Sequence, residues 1–284
     1  MLNIQPSGQA CGATVTGVDL RQPASDDLIA EIRSAWVEHQ VLAFPDQPLT
    51  DAELVRFTQY FGEVGDDPFF ESISDDNPVF ALTRKADEKA PVFAENWHSD
   101  WSFKEHPPIG TCLLGLVVPP VGGDTGFANQ QMALAQMPDD MRKKLEGKRA
   151  LHSAGAAYAP DGFYGDDDGP DRSMKIVTNE SAREVSSHNL FATHPENGKE
   201  TIFSAYGYII GIEDMEQEEA HALITELYGW QTQPAFQYQH KWAKNMLVLW
   251  DNRSVLHRAY GGYDGYDREM HRTTIAGSPE YSIH

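Results

Sequence analysis

The chain has 284 residues, 40% of them hydrophobic and 11% aromatic, enough for one large core burying roughly three quarters of the unfolded surface without disulfide or metal staples. Its 22 basic and 43 acidic side chains leave a net charge of −21, which repels phosphate backbones and anionic lipid and argues against a nucleic-acid or membrane partner. Two cysteines are too few for a disulfide framework, the start MLNIQPSGQACG lacks the basic and apolar regions of a secretory leader, and no apolar run reaches 18 residues, so a soluble cytoplasmic protein is expected.

In chain order, Ala13 to Val18 reads as a strand, rich in β-branched residues and bounded by glycine and aspartate. Asp26 to Gln40 has apolar residues at three- and four-residue steps behind Ser25, a residue suited to capping the free N–H groups of a first helical turn. A strand at Val41 to Phe44 and a second helix, Asp51 to Phe61 capped by Thr50, follow. Further strands are expected at Val79 to Leu82, Ile109 to Val118, Thr201 to Ala205, Met246 to Trp250, Ser254 to Ala259 and Arg272 to Ala276, with a third helix from Asp214 to Tyr228 capped by Glu213 or Asp214. Strands without a regular βαβ alternation, and no linker dividing the chain, point to one mainly β domain over residues 1–284, a sandwich or jelly roll with flanking helices. The polar stretch 154–187 breaks this pattern and reads as a lid over an active site or an insertion. Its acidic segment, with Asp166, Asp167 and Asp168, reads as a solvated loop; its spacing does not follow a calcium-loop pattern.

Eleven histidines make a chance His-x-Asp/Glu pair unremarkable, and there are two. His194-Pro195-Glu196 lies in a turn signal between short strands and reads as a surface hairpin. His98-Ser99-Asp100 differs in context, because an extended chain places His98 and Asp100 on one face. One imidazole and one carboxylate on a face are two thirds of a facial triad, which leaves open positions suited to Fe(II). A second histidine must come from elsewhere, and His257 after the turn Trp250-Asp251-Asn252-Arg253 is the candidate. Downstream lie Arg268 and Arg272, planar forks suited to carboxylates and related oxyanions. Their plainer reading is surface ion pairing with Asp264, Asp267 or Glu269.

Taken together, His98-Ser99-Asp100, Gly122-Gly123-Asp124-Thr125, Trp250-Asp251-Asn252-Arg253 with His257, and Arg268-Glu269-Met270-His271-Arg272 resemble the Fe(II)- and 2-oxoglutarate-dependent dioxygenases that include taurine dioxygenase and 2,4-dichlorophenoxyacetate dioxygenase. The resemblance runs from Gly12-Ala13-Thr14-Val15 to Thr273-Thr274-Ile275 and implies a double-stranded β-helix, a distorted jelly roll. It implies that His98, Asp100 and His257 ligate iron, that Thr125 and Arg268 hold 2-oxoglutarate, and that Arg272 holds the anionic head of the primary substrate. Asp251 and Asn252 match the family's turn before the last histidine, and His271 should project from the opposite face to Arg272. Asp67 and Phe70 stand where the taurine enzyme has a histidine and a tyrosine, and Trp101 where it has a small aliphatic residue. Tyr158, Phe163, Tyr164 and Tyr208 are further candidate contacts.

The implied reaction uses Fe(II), 2-oxoglutarate and O2 to hydroxylate a small anionic organic substrate, releasing succinate and CO2. A taurine-like sulfonate or sulfate ester ranks above an aryloxy or aliphatic carboxylate, and the resemblance suggests a homo-oligomer. Two histidines, a carboxylate and a water also describe a zinc hydrolase, in which the two arginines would have no task; a non-catalytic jelly-roll binding module is the third possibility.

Overall fold

The computed structural model describes residues 2–74, 77–165 and 172–283, so Asp166 to Asp168 and the rest of that acidic segment lie outside the described residues. In chain order the elements are β1 (Asn3–Pro6), β2 (Ala13–Thr16), α1 (Asp26–His39), β3 (Val41–Phe44), α2 (Asp51–Gln59), β4 (Ser72–Ser74), β5 (Asn77–Arg84), β6 (Gly110–Val117), β7 (Thr125–Asn129), α3 (Gln130–Ala135), α4 (Asp139–Leu145), β8 (Arg149–His152) and α5 (Gly155–Tyr158). There follow β9 (Ser186–Asn189), β10 (Phe191–Thr193), β11 (Glu200–Ile202), β12 (Ile209–Ile212), α6 (Gln217–Gln231), β13 (Gln237–His240), β14 (Leu247–Asp251), β15 (Val255–Ala259) and β16 (Arg268–Ile275). An eight-stranded sheet, ordered β1-β2-β3-β14-β6-β16-β5-β4, faces a three-stranded sheet, β13-β7-β15; smaller sheets β12-β8-β9 and β10-β11 lie beside them. This is the expected mainly β jelly roll, with open sheets.

The period-two alternation of the central strands explains the layering. On β14, Leu247 and Leu249 pack with Leu42, Phe44, Leu114 and residues of α1 and α2 such as Trp36 and Phe57. The alternate residues, Val248 and Trp250, meet Phe127 and Val255 of the small sheet from the other side. Both faces of these strands are covered, so they read as continuous apolar runs, and each fully buried large side chain contributes roughly 1.5–3 kcal/mol. Ser25 accepts from Leu28 N at the start of α1, and Thr50 forms a reciprocal capping box with Glu53 on α2.

The third helix begins later than its periodicity suggests. Glu213 N is held by Arg149 O at the end of the β12–β8 pairing, and Asp214 has φ 54°. The chain must turn before α6 can start, and its cap is Glu216 without a side-chain hydrogen bond. The hairpin around His194 is not a surface feature: His194 is 1% exposed and its Nε2 lies 2.9 Å from Asp251 Oδ2. Asp251 also takes a two-pronged contact from Arg253, which reaches Glu196, which in turn binds Arg33 of α1. The second His-x-Glu pair thus anchors the β14–β15 turn. Among the described residues no helix is long and apolar enough to cross a membrane.

Two deeply buried histidines give the fold a pH dependence. Burial, with His188 adding to it, pushes His152 from its ordinary 6.5 down to about 3, and burial pushes His240 to about 4. Below 6.5 the unfolded chain takes protons that the folded chain refuses, so their stabilisation is present above 6.5 and lost as pH falls towards 4. Each is expected to cost about 2 kcal/mol at pH 5 relative to pH 7. Tm should therefore fall clearly between pH 7 and pH 5, and a Tm that holds or rises would refute the assignment.

Candidate active site

The segment Asn96 to Asp100 is not a regular strand. It touches β15 through one antiparallel bridge, in which His98 N donates to His257 O (3.0 Å) and His257 N to His98 O (2.8 Å). A pair bonded in both directions presents its side chains on one face, and the ring centroids of His98 and His257 lie 4.2 Å apart. Ser99, on the opposite side, donates to Asn252 O in the β14–β15 turn. Trp101 then takes φ 44°, a left-handed conformation that a bulky side chain rarely adopts, turning the chain sharply after Asp100.

Asp100 Oδ1 lies 3.6 Å from His257 Nε2 and 3.9 Å from His98 Nε2. Ligand atoms from the three side chains all fall within 4.8 Å of one another. His98 Nδ1 sits 2.8 Å from Asn96 O; a proton there leaves Nε2 as a bare lone pair turned to the cluster. Burial, with the neighbouring His257, pushes His98 down to about 3, so its ring is neutral at physiological pH. Burial opposes ionisation of Asp100, but Arg272 and the two imidazoles hold it well below the usual carboxylate range. The His98 and His257 imidazoles and the ionised Asp100 carboxylate converge as the donor set of a divalent transition-metal site, and the residues fit that group.

Asp100 is held from behind. Its Oδ2 accepts from Thr111 (2.6 Å), Thr111 accepts from Asn252 Nδ2 (3.0 Å), and Asn252 Oδ1 accepts from Trp250 Nε1 (2.9 Å). Asn252 therefore both shapes the turn and supports the carboxylate. Thr111 carried no signal in the sequence, because a threonine inside a β-run is ordinary.

Two clefts meet at His98. The first, an arginine cleft, is lined by His98, His257, Thr125, Arg268, Arg272 and Trp250. Thr125 arrives there through Gly122 and Gly123, both at positive φ; a Cβ on Gly122 would fall 2.5 Å from the Gly262 backbone. Its Oγ1 accepts from Trp242 Nε1 (2.9 Å), leaving the hydroxyl proton to donate. Strand β16 runs four residues further towards the N-terminus than its composition suggests, so Arg268, Met270 and Arg272 share the face towards the small sheet. His271 points the other way and meets Asp51 of α2 at 2.6 Å. Among the described residues Arg268 has no carboxylate partner; Tyr263 lies against it at 5.9 Å. Burial presses Arg268 below its ordinary value, with Tyr263 opposing, yet a guanidinium stays charged.

The second, an aromatic cleft, is lined by His98, Phe93, Tyr158, Phe163, Tyr164 and Tyr208, so the described part of 154–187 supplies much of its wall. Of the other residues singled out in the sequence, Phe70 and Trp101 lie within a buried aromatic cluster with Phe69 and Tyr158. Asp67 accepts from Trp101 Nε1 and from Arg272. None of these three lines either cleft.

A family model described as taurine catabolism dioxygenase TauD, TfdA family matches residues 3–274. An (S)-phenoxypropionate/alpha-ketoglutarate-dioxygenase from Sphingobium herbicidovorans is 31% identical, covering 98% of this chain and 96% of the relative. An alkylsulfatase from Acinetobacter baylyi is 28% identical over 96% of this chain and 84% of its own. Among solved structures, a taurine dioxygenase from Burkholderia xenovorans superposes with a TM-score of 0.80 at 27% identity, over 99% of this chain and 93% of that one.

Proposed function

The chain belongs to the taurine catabolism dioxygenase TauD, TfdA family, and from that premise we propose that its two clefts divide the work of a 2-oxoglutarate-dependent dioxygenase acting on a small organic acid. His98, Asp100 and His257 would hold Fe(II), which with 2-oxoglutarate and O2 supplies C–H hydroxylation coupled to release of succinate and CO2. Arg268 pairs with the distal carboxylate of 2-oxoglutarate, as a charged fork with no carboxylate partner among the described residues is suited to do. Thr125, fixed by Trp242, donates its hydroxyl proton to the same molecule. Thr111 and Arg272 keep Asp100 in place, and Asn96 keeps the His98 ring in one tautomer.

The primary substrate enters the aromatic cleft, whose walls hold its body against the His98 side and exclude water. Those walls favour an aryl-bearing acid of the aryloxy carboxylate class, the compound class in the name of the Sphingobium relative. The sulfate-ester reading is supported by the Acinetobacter alkylsulfatase. Arg268, lining the same cleft as His98 and His257 with no carboxylate partner among the described residues, carries the proposal, since neither zinc hydrolysis nor a binding module gives that cation a task. A homo-oligomer in the cytoplasm completes the reading, and a charge of −21 leaves nucleic acid and anionic membrane outside it.

Protein loaded anaerobically with Fe(II) and 2-oxoglutarate should show a metal-to-ligand charge-transfer band. With oxygen, succinate release should rise at least about tenfold when the right acid from a panel of aryloxy acids, sulfonates and sulfate esters is added. Absence of both the band and succinate would sink the reading.

A further inference from the structure

The aromatic cleft has a neighbour. A third cleft, lined by Tyr206, Ile209, Ile210, Ile224 and the first turns of α6, shares two residues with it, Ala156 and Gly207. The aromatic cleft encloses about 330 Å³ and the third about 680 Å³, so the first alone lies at the bottom of the range for small-molecule sites and the two together reach its top. Gly207 sits in the turn from Ala205 to Tyr208, where Tyr208 N donates to Ala205 O (2.8 Å). Tyr208 lines the aromatic cleft, and Tyr206, on the other side of the glycine, lines the third. The turn does not call on the left-handed freedom of glycine, because Gly207 has no positive φ, and a Cβ there would meet no atom within 4 Å. Packing does not require it either. What the glycine supplies is a border with no side chain larger than the methyl group of Ala156.

We propose that Gly207 is a specificity-determining residue: it leaves a passage from the aromatic cleft into a tail subsite between β12 and α6, which takes an organic acid carrying a second, uncharged ring. The assignment rests on the dioxygenase reading above. His98 lines the aromatic cleft and not the third one, so the reacting end of the substrate stays beside the triad while its far end crosses Gly207. Ile210 is 47% exposed and Ile209 is half-buried, apolar surface that the chain itself leaves uncovered. The Tyr206 ring is braced against Tyr228 at 4.6 Å and offers a fixed face to a second ring. Glu218 in the lining disfavours an anionic tail.

The probes are phenoxyacetate and 4-phenoxyphenoxyacetate, which differ by one ring at the end away from the acid, titrated by calorimetry into protein holding Mn(II) and 2-oxoglutarate. The wild type should bind the two-ring acid at least about tenfold more tightly, and Gly207→Leu, which fills the passage, should cut that ratio at least about fivefold. A wild-type ratio below about tenfold, or a smaller cut in Gly207→Leu, overturns the proposal. A general disturbance of the fold weakens both acids and leaves the ratio as it was. If Gly207→Leu does not fold, Ile210→Ser is read by the same ratio, which should fall at least about threefold, and a smaller fall overturns the proposal. Absence of the Fe(II) and 2-oxoglutarate absorption in the wild type would instead remove the reading beneath it, whereas that absorption with neither acid bound counts against the tail subsite alone.

Discussion

His257→Ala is expected to abolish both the charge-transfer absorption of the Fe(II) and 2-oxoglutarate complex and the release of succinate. The substitution leaves His98 and Asp100, two donors on one short segment, where three converged within 4.8 Å. Changes to groups that merely orient metal ligands cost about 10–100-fold in affinity or activity, so loss of a ligand should exceed a hundredfold. The fold should survive. The backbone bridge between residues 98 and 257 does not need the imidazole, and the Nδ1 atom that is removed had no hydrogen-bond partner among the described residues. Far-ultraviolet circular dichroism unchanged beside a vanished band is the expected pair of results. Full activity in His257→Ala would mean that another set of side chains holds the metal.

Arg268→Leu should separate binding from stability. A half-buried cation with no carboxylate partner among the described residues is a cost to the folded state, and replacing it with a shorter apolar side chain should leave stability unchanged or raise it by up to about 2 kcal/mol. The same change removes the charged partner proposed for the cosubstrate, worth roughly 2–3 kcal/mol, and so should raise KM for 2-oxoglutarate about a hundredfold. The direction is the informative part: Tm holds or climbs while cosubstrate affinity collapses. A variant that loses Tm and keeps its KM would show that Arg268 is a structural residue.

The parts legible in the sequence were those whose signal is local or periodic. His98 and Asp100 are two apart, β14 and β15 flank a turn, and α1 and α2 carry both an apolar stripe and a capping residue. Arg268 and Arg272 could be singled out because two forked cations follow His257 closely in sequence, although only Arg272 fell within the expected strand. What escaped notice depends on contacts across long stretches of chain. Asp67 and Arg272 are 205 residues apart, and nothing near either announces the other. His194 beside a proline reads as a turn at the surface, and only Asp251 arriving from the far end of the chain buries it. Short strands such as β8 and β12 are held by pairing and by the helices laid over them, and so lack a pattern of their own.

The single bridge between His98 and His257 also bears on how the protein is made. One histidine is translated in the first half of the molecule and the other near its end, on β15, a strand that also pairs with β7. A chain cut short before β15 therefore keeps two of the three converging donors, His98 and Asp100. A copy cut short there should hold a divalent metal ion more weakly than the full chain.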